Sequence, residues 1–255
     1  MPLFNFILRP TAEIQPWGKP GQHSLSWFGL SDGWYWLELD GQELFRTREP
    51  AAPGEPPYAD YQIVRLWEDL LDVVPAVLAP VPSDLARLLE APERFLTTVE
   101  RLQEDDLAEE NSPASRVYDG LAFWHARGLT SGHLVGAPDL WLWRDDQTVH
   151  ALWRSRAAGA ALWHPVAGHL TLPLDRFVAE LRAFDRAFLA AMGERVQSLR
   201  RSNGRQGVRI DLEQLEAEQR ERATWLERAL SRSATDDWAK ARGLLIPALR
   251  PPASE

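Results

Sequence analysis

The chain has 255 residues, 45% of them hydrophobic and 25% charged, enough to bury a sizeable core as one large domain or two tightly packed subdomains. Its formal charge of -9 opposes phosphate backbones and anionic lipid, so nucleic acid and membranes are not expected partners. With no cysteine there are no disulfides, thiolate zinc sites or cysteine nucleophiles, and the composition suits a reducing cytoplasm.

The N-terminal "MPLFNFILRP" has too short an apolar run for a signal peptide and no basic leader, and no later run reaches the ~20 apolar residues of a membrane span. A soluble, cytoplasmic protein is expected. Lys19 and Lys240 are the only lysines, a bias that a GC-rich genome explains more simply than guanidinium stacking on indoles.

"LFNFIL", residues 3–8, reads as a short strand, and a loop with Pro16, Gly18, Pro20 and Gly21 follows. Residues 27–45, "WFGLSDGWYWLELDGQELF", read as a three-strand meander. "SDG" at 31–33 predicts a three-residue hairpin loop with Gly33 left-handed, setting Leu30 opposite Trp34, Gly29 opposite Tyr35 and Phe28 opposite Trp36. "DG" at 40–41 predicts a two-residue turn that sets Glu38 opposite Glu43, Leu37 opposite Leu44 and Trp36 opposite Phe45. One face then holds Leu25, Trp27, Tyr35, Leu37, Leu39 and Leu44, and the other Phe28, Leu30, Trp34, Trp36 and Phe45. If the second turn bulges by one residue, Glu38 faces Gln42 and Trp34 faces Arg46.

After a Pro-rich loop, Ile63, Leu66, Trp67, Leu70, Leu71 and Val74 recur at helical spacing behind Asp60 as N-cap, with Pro75 breaking or kinking the helix. Ser83 can cap a second helix, and Pro92 suits the first turn of another that reaches about Leu102. "QEDDLAEENSPAS" reads as an acidic linker, and a short helix spans about Arg116 to Arg127. Strands return at 139–144, 148–155 and 169–174, with Asp145 and Asp146 forming the turn between the first two. W-x-W precedes a turn at both Trp34/Trp36 and Trp141/Trp143, though no other positions support a repeat.

Asp175 can cap a long helix whose stripe is Phe177, Leu181, Phe184, Phe188, Met192, Val196 and Leu199, ending near Asn203 and Gly204. Asp211 and Gln214 resemble a capping box at the start of a charged helix to about Leu230, and a last helical turn or two near Trp238 precedes a frayed "PPASE". Clustered hairpins and helices, without regular βαβ alternation, give an α+β fold. It forms a single domain over 1–255: meander 1–48, helices 60–127, a second strand group 133–174 and C-terminal helices 176–246. Strands of the two halves form one mixed-origin sheet or two adjacent ones.

"WFGLSDGWYW", with "LWEDLL", "GAPDLWLWR" and "TWLERAL", resembles a bacterial family of unknown function, over almost the whole chain. The resemblance implies a cytosolic bacterial protein and carries no catalytic residues across. By class analogy alone, acidic proteins of this size include immunity proteins that neutralise basic toxins.

The candidate ligand- or partner-binding residues are Trp34, Trp36, Glu38, Glu43, Arg46, His133, Asp139 and His150. Opposed Glu38 and Glu43 repel, which points to exposure, a cation, a basic partner or a raised pKa. Tryptophans can stack a ligand, with Arg46, Arg144 or Arg154 adding cation–π contacts, but core packing is the simpler use of an indole. His133, Asp139 and His150 form an acid/base group if they converge near the second hairpin. No spacing marks a metal site, although "HPVAGH" could turn back to present His164 and His169, and neither a phosphate-binding nor a serine-hydrolase motif occurs. No cofactor is expected. The expected function is protein binding to a basic partner; the alternative is a small-molecule binder or hydrolase with a Trp-lined pocket.

Overall fold

A computed structural model describes residues 2–89, 95–97, 113–129, 131–155, 162–202 and 204–248. Of the helix expected from Pro92 to about Leu102 only residues 95–97 are described, and these are helical, with Phe95 and Leu96 buried. The "PPASE" tail and the acidic linker up to 112 lie outside the described residues. From Pro113 onward that linker is helical.

The fold is α+β, built on two four-stranded antiparallel sheets. The first contains β1 (Phe4–Leu8), β2 (Asp32–Leu39), β3 (Gln42–Leu44) and β5 (Ala59–Gln62), with β2 in the centre. The second runs β10 (Ala167–Pro173), β8 (Thr148–Arg154), β7 (Asp139–Asp145), β6 (Gly128–Leu129). A small ribbon joins the halves: β4 (Arg46–Thr47) pairs with β9 (Trp163–His164).

The second turn of the expected meander has the predicted register, with Leu37 opposite Leu44, Glu38 opposite Glu43 and Leu39 opposite Gln42. Asp40 (φ 51°) and Gly41 (φ 78°) supply the two positive φ angles that such a turn requires. The first turn is different. Trp27–Leu30 is a short helix, α1, because Ser26 caps it by accepting from the Gly29 amide. The strand that pairs with β2 there is β1, which sets Leu8 opposite Gly33 and Ile7 opposite Trp34. Gly33 serves close approach rather than a left-handed turn, since a Cβ on it would lie 2.2 Å from the Ile7 carbonyl oxygen. Phe45 also leaves its expected face: its φ of 67° ends β3 and turns the ring to an edge contact with Tyr35 at 5.8 Å.

Helix α2 (Ile63–Leu78) buries the predicted Ile63, Leu66, Trp67, Leu70, Leu71 and Val74 and continues through Pro75. Its N-cap is Gln62, not Asp60, which lies in β5 opposite Trp34. Then come α3 (Ser83–Leu89), α4 (Pro113–Gly120) and α5 (Ala122–His125). The long α6 (Leu174–Arg201) buries every residue of the predicted stripe. It starts behind Pro173, with Asp175 in its first turn rather than at the cap. Asp211 caps α7 (Leu212–Arg222) through the Gln214 amide, and a break at Ala223–Thr224 divides the expected single helix, α8 (Trp225–Ser231) following. Helix α9 (Trp238–Ala248) is last.

The larger core cluster unites both halves: Phe4, Tyr35 and Trp67 belong to the same buried network as Leu140, Trp153 and Phe177. A second cluster packs Phe123, Trp124, Trp143 and Leu245 on the other face of the second sheet. Most indoles are therefore core, in line with their large apolar area.

Candidate functional site

Alternation along β2 sends Tyr35, Leu37 and Leu39 into the core and leaves Trp34, Trp36 and Glu38 on the opposite face. There the Arg9 guanidinium lies 4.1 Å above the Trp34 ring and reaches Asp32 at 3.0 Å, Glu55 at 3.2 Å and Asp60 at 2.7 Å. Trp34 is consequently buried, and its indole N–H has no hydrogen-bond partner among the described residues. One step along the strand, Trp36 stacks on Tyr58 with ring centroids 3.9 Å apart and planes 12° from parallel.

Tyr58 donates a 2.6 Å hydrogen bond to Glu43, and Arg46 pairs with the other oxygen of that carboxylate. These partners explain how Glu43 tolerates Glu38 opposite it. The Tyr58 hydroxyl, and then Arg46, hold Glu43 below the usual carboxylate range, while burial and Glu43 itself push Tyr58 up to about 12. Burial raises the Asp32 carboxyl in spite of Arg9. On this face the carboxylates of Asp32, Glu38, Glu43, Glu55 and Asp60 outnumber the guanidiniums of Arg9 and Arg46. A groove of about 370 Å³ continues it past Arg9, Asp32 and Asp60 to Glu13 and to Trp17, which is 53% exposed.

The structure thus gathers Trp34, Trp36, Glu38, Glu43 and Arg46 into one surface, but it separates the other three candidates. His133 reaches back to the first sheet: its Nε2 lies 2.8 Å from the Tyr35 hydroxyl and its ring is 4.5 Å from that of Tyr61. Burial, then Arg65, lowers its pKa to about 4, so the imidazole is neutral. Asp139 opens β7 opposite Arg154, whereas His150 lies near the far end of the hairpin, opposite Trp143. His150 Nδ1 is 3.2 Å from His169 Nε2, and its Nε2 is 3.2 Å from Asp145 but poorly aligned for a hydrogen bond. The expected acid/base convergence does not form, because the hairpin register holds Asp139 and His150 apart. His164 and His169 do not pair either, since His169 faces His150, and the described residues contain no grouping fit to hold a metal ion.

Sequence reasoning missed Arg9, Tyr58 and Asp69. Arg9 follows a short strand, and Tyr58 lies in a proline-rich loop; neither carries a local signal. Asp69, buried on α2 among apolar positions, is pushed up to about 7 by burial, and its charge bears on Tyr35. A cleft of about 970 Å³ lies between α2, α4, α5 and α9. Asp72, Asp119, His125, Asp236 and Lys240 line it, and no tryptophan does.

These features define an α+β protein with a carboxylate-rich, aromatic sheet face and no converged catalytic set among the described residues. The chain belongs to a family of unknown function, DUF5984, whose model matches residues 3–244. No curated protein and no solved structure matches it.

Proposed function

We propose that the chain is a protein-binding module of the bacterial cytosol that presents the outer face of its first sheet to a basic partner. The observation behind this reading is the excess of carboxylates around the Trp36–Tyr58 stack and the Arg9–Trp34 pair. Aromatic and arginine side chains supply anchoring area, while the surrounding charge selects a cationic surface and speeds its approach. Neutralising a basic toxin, in the manner of an immunity protein, is the role that fits best.

Pulldown with the full chain at low and high salt tests it. A specific protein should be recovered at low salt, be released at high salt, and be lost with the Trp36→Ala/Glu38→Gln variant. Recovery that salt and this variant leave unchanged overturns the reading. The alternative of a small-molecule binder or hydrolase draws on the 970 Å³ cleft with His125 and Asp72 in its wall, and native mass spectrometry showing a retained ligand would favour it.

A further inference from the structure

Strand β10 is at the edge of the second sheet: β8 pairs with one side, and among the described residues no strand pairs with the other. Its register decides which groups are left over. The Ser155 amide donates to the Val166 carbonyl at 2.6 Å, and the Leu174 amide to the Gln147 carbonyl at 2.9 Å. Antiparallel ladders alternate, so between these two pairs Gly168, Leu170 and Leu172 bond to β8. Ala167, His169 and Thr171 then turn their N–H and C=O groups away from β8. All three residues are exposed.

We propose that β10 pairs antiparallel with β10 of a second copy of this chain, about a two-fold axis at His169. The window "PVAGHLTLP" is centred on that residue, with Pro165 and Pro173 at equal distances on either side. Neither proline has an N–H, so the ladder stops at both ends without wasted donors. Inside the window, Ala167 of one copy meets Thr171 of the other and His169 meets His169, so each outward N–H finds an outward C=O.

Charge and burial select a second copy as the occupant. The window has no Lys, Arg, Asp or Glu in a chain of net charge -9, although such charges are the usual guard on an edge strand. The same register sets Val166, 41% exposed, opposite Leu172 of the other copy on the face that already holds Leu170 and Leu172. The two four-stranded sheets become one continuous sheet across the axis, a self-complementary contact of the kind a two-fold dimer needs. One strand pair buries less than the ~1,600 Å² of a standard interface, so the dimer separates on dilution.

Sedimentation of the full chain over a concentration series tests this. The expected mass is that of two chains at the top of the series and one at the bottom. His169→Lys and His169→Glu set like charges opposite each other and should each give single chains, while an equal mixture of the two variants should recover the dimer. Thr171→Pro removes an outward N–H but no bond to β8, and should give single chains with the melting temperature of the wild-type single chain at the bottom of the series. A wild-type chain that stays single throughout, a dimer that survives Thr171→Pro, or a Lys/Glu mixture that does not reassociate overturns the proposal.

Discussion

Arg127 has no exposed side-chain surface and holds Asp236, only 6% exposed, at 2.8 Å. The guanidinium also donates to the Phe123 and Ala79 carbonyls, at 2.7 and 3.1 Å, and so ties the segment before α9 to the ends of α5 and α2. Removing one partner of such a pair leaves a buried charge uncompensated. Asp236→Ala should therefore lose roughly 3–5 kcal/mol of stability, measured by urea unfolding. An Arg127→Met/Asp236→Leu double variant should lose much less, because no unpaired charge remains.

Gly33→Ala should destabilise by about 1–3 kcal/mol in thermal unfolding, because the obstacle is the Ile7 carbonyl oxygen, 2.2 Å from the new Cβ, and not a flexible side chain. β1 has to move away from β2 to relieve it. A hairpin glycine at a left-handed position, as the sequence alone implied, would instead show strain in a turn and leave β1 untouched. Exchange protection of the β1 amides distinguishes the two.

Local patterns were legible where a single element determines the outcome. The stripe from Phe177 to Leu199 is buried throughout because 3.6-residue periodicity depends on no distant partner. The Asp40–Gly41 register was legible because a two-residue turn fixes both strands at once. "WFGL" was misread because its apolar residues suit a strand or a helix equally, and a single serine cap decides between them. β1 as partner of β2 depends on chain far upstream, and neither Arg9 over Trp34 nor Tyr58 on Glu43 leaves a trace in local spacing. The candidate site was read in part for the same reason: its strand residues were visible, and the loop and edge residues that complete it were not.

Tyr58→Phe should return Glu43 toward the usual carboxylate range, since the hydroxyl's hydrogen bond is the largest contribution to its lowering. Carbon-detected NMR titration of the Glu43 side chain reads this directly. The wild-type carboxylate stays ionised to lower pH, so its share of stability is present above the unfolded pKa and lost as pH falls through the folded one. A Glu43 that titrates identically in both proteins removes the role given to Tyr58.

Asp69 and His133 set opposing pH dependences within one core. Asp69, raised to about 7, keeps its proton in the folded chain after the unfolded chain has lost it, so its contribution declines from about pH 4 to about pH 7. His133, lowered to about 4, stays neutral while the unfolded imidazole takes up a proton, so its contribution declines as pH falls from about 6.5 to about 4. Over the shared window these two slopes oppose each other. Relative to wild type, Asp69→Asn should make stability rise more steeply with pH between about 4 and 6.5, and His133→Asn should shift the slope the other way. Each tenfold difference in proton affinity is worth at most about 1.4 kcal/mol, so denaturant midpoints at about pH 4.5, 5.5 and 6.5 resolve both slopes. Profiles that respond to neither substitution show that these two groups titrate alike in the folded and unfolded chains.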